Sequence, residues 1–172
     1  MLSATMLEAM NEQIRREFES AYIYLGMAAY FDGENLPGFA HWMKIQFEEE
    51  LAHTFKFYDH VNDRGGQVVL GAVDKPSSSY DSPLEAFKTA LKHEQHITKS
   101  IHDLYDLADE EKDHASKQFL HWFIEEQVEE EQNADEIVQT LSMVESSPQA
   151  ILILDRELAQ RQPPAEVEGE EA

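Results

Sequence analysis

Four long segments of this chain repeat their apolar residues at alternating steps of three and four, which is the spacing of one face of an α-helix. Residues that start or stop helices, chiefly Ser, Asp, Asn, Pro and Gly, separate these segments and a shorter fifth one. A chain with this pattern buries its apolar residues by packing one helix against another. It therefore predicts an all-α fold, with helices near 5–31, 35–64, 83–108, 113–145 and 149–160.

Each predicted helix is preceded by a candidate capping side chain. Thr5 and Glu8 have the spacing of a capping box, and Asn35 precedes a second helix that has Pro37 in its first turn. Ser82 is the candidate for the third helix. The remaining candidates are Asp113 or Ser116 for the fourth helix and Ser147 for the fifth.

The segment 66–81 has no helical period and is long enough to run from one end of a bundle to the other. A helix of about 28 residues is roughly 42 Å long, and a stretched linker of about 16 residues reaches roughly 53 Å. The short turns elsewhere make helices one and two, and helices three and four, antiparallel pairs. The sequence therefore predicts a four-helix bundle in which a long crossover makes helices two and three parallel, followed by the short fifth helix. This domain is predicted over 1–161, and 162–172 is predicted to be an acidic, mobile tail.

The chain is strongly acidic, with 35 acidic and 13 basic residues and a net charge of −22. Such a surface repels nucleic acid and anionic membranes and attracts cations, so neither a nucleic-acid nor a membrane partner is expected. The negative charge by itself fits a role in solubility as well as it fits a role in attracting cations. There is no cysteine, which excludes disulfides and thiolate metal sites, and the first residues lack the features of a signal peptide. We therefore expect a cytoplasmic protein.

Each of the four apolar stripes contains a glutamate in the interior of its helix: Glu17, Glu50, Glu94 and Glu130. A buried carboxylate without a partner either costs several kcal/mol or takes up a proton. One such residue could reach the surface or pair with a lysine. Four stripes that contain no Lys or Arg cannot neutralise four carboxylates internally. Because two divalent cations would supply the missing charge, the sequence predicts a metal site in the core.

The spacing of these residues supports the same prediction. Glu50 and His53 are three residues apart, so both side chains point to one side of their helix. Gln127 and Glu130 repeat this spacing on the fourth helix. Carboxylate-bridged di-iron bundles use one Glu from each of two helices and a Glu-x-x-His pair from each of the other two. Here one pair is complete, and the second offers one strong ligand instead of two.

With these residues in place, the chain resembles the non-haem bacterial ferritins over about 7–158. The resemblance rests on Glu17, Tyr24, the E-E-x-x-H motif at 49–53, Glu94, and the E-Q-x-E-E motif at 126–130. It implies a first iron position formed by Glu17, Glu50 and His53. It implies a second formed by Glu94, Glu130 and the bridging Glu50, with Gln127 as a partner that holds a ligand.

The resemblance also implies a third iron position beside the pair. Its ligands would be Glu49, Glu126 and Glu129, sharing Glu130. The alternative for these additional acids is an ordinary solvated helix face.

Two aromatic residues are candidates for a part in the chemistry. Tyr24 lies two turns beyond Glu17 on the same stripe, where it could lend an electron or a hydrogen bond. Core packing is an equally good interpretation. Trp122 is a weaker candidate for a redox role, and packing explains it better.

Departures from related families narrow the resemblance. Leu51 stands where haem-binding bacterioferritins place a ligating Met, and Glu130 stands where they place His, so we expect no haem. Rubrerythrins need cysteine ligands that this chain lacks, and mini-ferritins usually lack a fifth helix. The apolar fifth helix must be buried. In ferritins it meets its copies at a fourfold axis of a twenty-four-subunit shell, and the alternative is that it folds onto its own bundle.

The resemblance therefore implies an iron storage protein with ferroxidase activity. Such a protein is a homo-oligomer that oxidises Fe(II) with dioxygen or hydrogen peroxide at a di-iron centre and stores the product as a ferric mineral. One alternative is a di-iron oxidase or peroxide scavenger that retains its iron as a cofactor. A second is an acidic helical scaffold without enzymatic activity.

Overall fold

The computed structural model describes residues 1–163, which form five helices and no strand. The helices are α1 (Ala4–Gly33), α2 (Pro37–Asp63), α3 (Pro83–Glu110), α4 (His114–Val144) and α5 (Pro148–Leu158). This confirms the predicted all-α class and the order of its elements. From position 164 onward, the acidic tail predicted over 162–172 lies outside the described residues.

The bundle consists of two antiparallel pairs joined by a long crossover. α1 packs along α2, α3 packs along α4, and α1 also contacts α3. The crossover, residues 64–82, follows α1 from end to end. Near its start, Asn11 donates a hydrogen bond to the Gln67 carbonyl at 3.1 Å, and near its end the Tyr80 ring packs against Tyr30 at 5.2 Å. Helices α2 and α3 are therefore parallel, as the length of the link predicts.

The crossover passes so close to α1 that only glycine fits at one point. A Cβ atom on Gly26 would lie 2.6 Å from the Ser77 carbonyl oxygen, well inside van der Waals contact. The absence of a side chain at Gly26 thus lets the connection lie flat on the helix.

Two of the predicted helix caps are wrong. α1 begins one residue earlier than predicted, because Ser3 rather than Thr5 accepts the hydrogen bond of a first-turn N–H group, that of Met6, at 3.0 Å. Asn35 adopts a left-handed backbone conformation with φ of 58°, which ends the preceding turn, and the cap position of α2 falls on Leu36. The caps at Ser82, Asp113 and Ser147 are confirmed.

The missing cap of α2 is supplied by α5. Oδ1 of Asp155 accepts hydrogen bonds from the backbone N–H groups of Gly38 at 2.8 Å and Phe39 at 3.0 Å. A carboxylate at this position satisfies otherwise unpaired N–H groups and matches the positive end of the helix dipole. This contact attaches α5 to the first turn of α2.

The sequence predicts that the apolar residues of α5 are buried, and in the structure only one face of the helix is buried. Leu154 and Leu158 are buried in the core of their own bundle, as the alternative interpretation has it. On the other face, Leu152 and Ile153 are 52% and 57% exposed in the single chain. That second face is available for contact with another copy.

The apolar core is divided into two halves by a polar layer. One half surrounds Phe31, Phe39 and Phe87, and the other surrounds Phe57 and Phe123. The buried glutamates lie between the halves, near the middle of each helix. No helix within residues 1–163 combines the length and the apolar character needed to cross a bilayer.

Candidate metal centre

The polar layer brings the predicted ligands from all four long helices into the interior of the bundle. Each of these residues is at most 3% exposed. The set comprises Glu17 and Tyr24 on α1, Glu50 and His53 on α2, Glu94 on α3, and Gln127 and Glu130 on α4. Burial of so many ionisable groups in one layer costs free energy without improving packing, which makes the layer a candidate ligand-binding site.

Glu17, Glu50 and His53 form one compact group of possible ligands. Nδ1 of His53 lies 3.6 Å from Oε2 of Glu50 and 3.9 Å from Oε2 of Glu17. One ligand atom from each residue lies within 4.8 Å of the others, close enough to surround a single cation. Oε2 of Glu17 is buried and accepts no hydrogen bond from the described residues. An unpaired carboxylate oxygen that lies near an imidazole nitrogen and a second carboxylate fits a metal ion.

Glu94 and Glu130, the other two predicted ligands, are held by hydrogen bonds from neighbouring side chains. The carboxylate of Glu94 accepts hydrogen bonds from the Tyr24 hydroxyl and from Nε2 of Gln127, the latter at 3.3 Å. Oε2 of Glu130 accepts a hydrogen bond of 2.7 Å from Nε2 of Gln46. Glu94 belongs to neither of the two compact ligand groups found among residues 1–163. Glu50 therefore shares a compact group with Glu17 and His53 but not with Glu94 or Glu130, and its bridging role stays a prediction.

Three buried glutamines hold the carboxylates through their amide groups. Gln13 donates to Glu17 at 2.7 Å, Gln46 donates to Glu130, and Gln127 donates to Glu94. An amide stabilises a carboxylate without adding positive charge, so the negative charge of the layer is left for a cation. The sequence analysis missed Gln13 and the role of Gln46. Each lies four residues before a buried Glu on the same helix, and this spacing could have identified them.

Burial dominates the electrostatics of the site. It raises the pKa of Glu17 to about 8, with a further contribution from the charge of Glu50. The pKa values of Glu94 and Glu130 are also raised to about 8, by burial and then by neighbouring carboxylates. Burial and Glu130 raise the pKa of Glu50 well above its ordinary value. The carboxyl groups are therefore largely protonated at pH 7 without a cation, and metal binding must displace protons.

Tyr24 is fully buried and its hydroxyl is a hydrogen-bond donor. It donates to Oε1 of Glu94, and its pKa is raised well above the ordinary value by burial and then by the charge of Glu94. The phenol therefore stays protonated in this layer. Of the roles considered for Tyr24, the geometry favours a hydrogen bond to a ligand.

The acids predicted for a third iron position are placed differently from one another. Glu126 forms a second compact group with His53 and Glu130, again within 4.8 Å. Glu49 forms an ion pair with Arg161, and Glu129 is exposed. The structure thus brings Glu126 and Glu130 together with His53, a combination that the sequence analysis did not consider.

Trp122 lies beside the site at the surface of α4. Its ring centroid is 5.4 Å from that of His53 in an edge-on arrangement, and the side chain is partly exposed. The Nζ atom of Lys56 lies 4.3 Å from the centroid of the indole. These contacts support the imidazole of His53 from outside, which agrees with a packing role for Trp122.

A family model and curated sequence relatives both match this chain over most of its length. The family model described as a Ferritin-like domain matches residues 7–144. A bacterial non-heme ferritin of Staphylococcus aureus is 38% identical over 161 residues, which cover 94% of this chain and 97% of the relative. A bacterial non-heme ferritin of Staphylococcus epidermidis has the same identity and coverage.

Solved structures agree with the sequence relatives. The ferritin of the hyperthermophilic archaeon Archaeoglobus fulgidus, described as a novel open pore ferritin, is 49% identical with a TM-score of 0.93. The alignment covers 94% of this chain and all of that one. A closed form of the same ferritin, engineered by site-directed mutagenesis, has the same identity and TM-score and is covered to 99%.

Proposed function

This chain belongs to the ferritin family, and from that membership we propose that it oxidises Fe(II) at the buried carboxylate centre and stores the ferric product in a hollow shell of identical subunits. One iron ion would bind to Glu17, Glu50 and His53. The second would bind to Glu94, Glu130 and the shared Glu50. Iron is here the substrate and the cargo, rather than a permanent cofactor, and we propose that no haem takes part.

The observation that carries the proposal is the charge balance of the polar layer. Four glutamates are buried together, and no Lys or Arg among residues 1–163 forms an ion pair with any of them. A structural role would favour an apolar or internally paired set, because isolated buried charges are destabilising. Hard oxygen ligands suit iron and stabilise its ferric state more than its ferrous state.

The proposed reaction takes one electron from each of two Fe(II) ions. When dioxygen is the oxidant, it accepts both electrons and two protons and becomes hydrogen peroxide. When hydrogen peroxide is the oxidant, the same two electrons and two protons cleave its O–O bond and give two water molecules. The carboxyl groups with raised pKa values can release the required protons as iron binds.

Storage requires a container that one bundle does not provide. The proposed shell has twenty-four subunits, in which the exposed apolar face of α5, including Leu152 and Ile153, would contact other copies. The net charge of −22 would favour accumulation of cations at such an assembly.

Aerobic addition of Fe(II) to the purified protein tests the proposal. We expect fast oxidation of about two iron ions per chain, followed by uptake of many more into a particle whose mass is a multiple of the chain mass. Stopped-flow absorbance, iron analysis and light scattering measure these quantities. Retention of only about two ions per chain would support a di-iron oxidase instead, and absence of stoichiometric binding would contradict both.

A further inference from the structure

The segment that follows α5 runs back along α2 to the metal centre. The end of α5 just before this segment is attached to α2 by Asp155, which caps α2 at Gly38 and Phe39. Near its end, the carbonyl oxygen of Arg161 lies 3.0 Å from Nε2 of His41. The path of the backbone therefore places the side chain of Arg161 beside the middle of α2.

The guanidinium group of Arg161 contacts Trp42, Gln46 and Glu49 on α2, and its Nη1 donates a long hydrogen bond of 3.4 Å to the Trp42 carbonyl. Its Nη1 donates to Oε1 of Gln46 at 2.8 Å, and its Nη2 donates to Oε2 of Glu49. It also lies 4.3 Å from the ring centroid of Trp42. The ion pair and the cation–π contact hold the guanidinium in one orientation, so its bond to Gln46 is made by a fixed group.

Gln46 transmits this contact to the candidate ligands. Its Nε2 donates to Oε2 of Glu130 at 2.7 Å and lies 3.5 Å from Oε1 of Glu50. An amide has a donor end and an acceptor end. With Arg161 bound to the acceptor end, the donor end faces the two carboxylates. A half-turn of the amide would point its carbonyl oxygen at them and would repel them.

We propose that Arg161 is a positioning residue of the metal centre, which fixes the amide of Gln46 and through it the orientation of Glu130 and Glu50. This proposal rests on the proposed function of the site. It makes the docking of the segment after α5 a determinant of iron affinity. Arg161 touches neither iron nor oxidant and acts only through Gln46.

Metal binding measured directly, and not only activity, tests this role. The variants are Arg161→Gln, Gln46→Leu and their combination, with Arg156→Gln as control, because Arg156 is an exposed arginine on α5 whose side chain forms no hydrogen bond or ion pair within residues 1–163. Each is titrated with Fe(II) without oxygen by calorimetry, and initial oxidation rates are recorded against Fe(II) concentration. Loss of a group that orients a metal ligand typically weakens binding by about 10–100-fold. We expect a loss of about tenfold or more for Arg161→Gln, and none for the control.

The double variant separates positioning from a general structural effect. If Arg161 acts through Gln46, the combination will bind Fe(II) no more weakly than Gln46→Leu alone. The proposal would be overturned if the loss of Fe(II) affinity in the double variant equalled the product of the two single losses. It would also be overturned if Arg161→Gln bound iron as well as the control does. Arg161→Lys keeps the charge but cannot reach both acceptors with one fork, so full rescue by lysine would also overturn it.

The controls distinguish this inference from the function on which it rests. If the unmodified protein neither binds nor oxidises iron, the proposed function is wrong. If the unmodified protein binds and oxidises iron, and Arg161→Gln binds Fe(II) with unchanged affinity, the proposed function stands and the positioning role is wrong. Thermal unfolding and particle size, measured for every variant, identify any that has lost its fold or assembly. If Arg161→Gln is one of these, the Fe(II) affinity of Arg161→Lys is compared with that of Gln46→Leu instead.

Discussion

The hydroxyl group of Tyr24 donates a hydrogen bond to Oε1 of Glu94, and so links α1 to the candidate ligand on α3. Both side chains are buried, and the high pKa of Tyr24 keeps its proton on the phenol. The bond leaves Oε2 of Glu94, which accepts only the longer bond from Gln127, as the freer oxygen for a cation. We predict that Tyr24 thereby determines which oxygen of Glu94 is available to a metal ion.

Replacement of Tyr24 by Phe tests this relationship. A hydrogen bond to a charged group contributes about 1.5–3 kcal/mol, so Tyr24→Phe should slow the initial oxidation of Fe(II) by about tenfold while the bundle stays folded. Stopped-flow absorbance at equal iron loading measures the rate. Tyr30→Phe is the control, since Tyr30 is another buried tyrosine of α1 and its ring packs against Phe31 and Tyr80. Equal rates for both variants would show that Tyr24 only fills the core.

Replacement of Glu17 by Gln tests the first iron position. The substitution keeps the size of the side chain and removes a carboxyl group with an unpaired Oε2 that can become a negatively charged ligand when metal displaces its proton. We expect it to lower affinity for the first Fe(II) by more than the roughly 100-fold upper range of ligand-orienting groups, because Glu17 would bind the metal directly. Glu8→Gln, an exposed position on the same helix, should bind iron normally. Anaerobic titration compares the two, and a full complement of tightly bound Fe(II) in Glu17→Gln would exclude Glu17 as a ligand.

The raised pKa values predict how the stability of metal-free protein depends on pH. The ordinary glutamate value is 4.5, and those of Glu17, Glu94 and Glu130 in the folded state are about 8. Between these limits the folded state binds more protons than the unfolded state, so the free energy of unfolding falls as pH rises. Stability should be greatest below pH 4.5 as far as these groups are concerned, and their contribution should be lost as pH passes through 8.

Denaturant unfolding of chelator-treated protein at pH 6 and pH 8 measures this effect. One pKa unit in one group corresponds to about 1.4 kcal/mol, so the difference should be easy to detect. Saturating Zn(II) should reverse the trend, because a bound cation replaces the protons. Glu17→Gln should reduce the slope and Glu8→Gln should not. A metal-free protein that becomes more stable between pH 6 and 8 would contradict the assignment of buried, protonated carboxyl groups.

Helical periodicity explains why so much of the site could be predicted. It fixes which residues of one helix share a face, and every long helix is buried on one face, so the interior positions of Glu17, Glu50, Glu94 and Glu130 follow from their spacing alone. The length of the link 66–81 then determines the parallel arrangement of α2 and α3. These inferences depend only on local pattern and chain length.

Contacts between distant segments could not be predicted in this way. Asp155 caps a helix that begins more than a hundred residues earlier, and Arg161 reaches Gln46 over a similar separation. Both depend on how α5 docks, which the sequence left open between two surfaces. The ion pair of Arg161 with Glu49 likewise has no signal in the E-E-x-x-H motif, so only the structure shows that this predicted iron ligand has a cationic partner.

The docking of α5 should depend on the absence of a side chain at Gly38. A Cβ atom there would lie 1.6 Å from the backbone carbonyl oxygen of Asp155, so Gly38→Ala must push α5 away and break its cap on α2. Gly33→Ala is the matched control, because nothing lies within 4 Å of a Cβ atom at that position. Loss of a helix cap costs about 0.5–2 kcal/mol, and the displaced segment would also remove Arg161 from Gln46. We therefore expect Gly38→Ala alone to expose 148–161 to limited proteolysis and to weaken Fe(II) binding, measured by mass spectrometry and calorimetry. If both variants resist proteolysis equally, the close approach of α5 to α2 does not exist in solution.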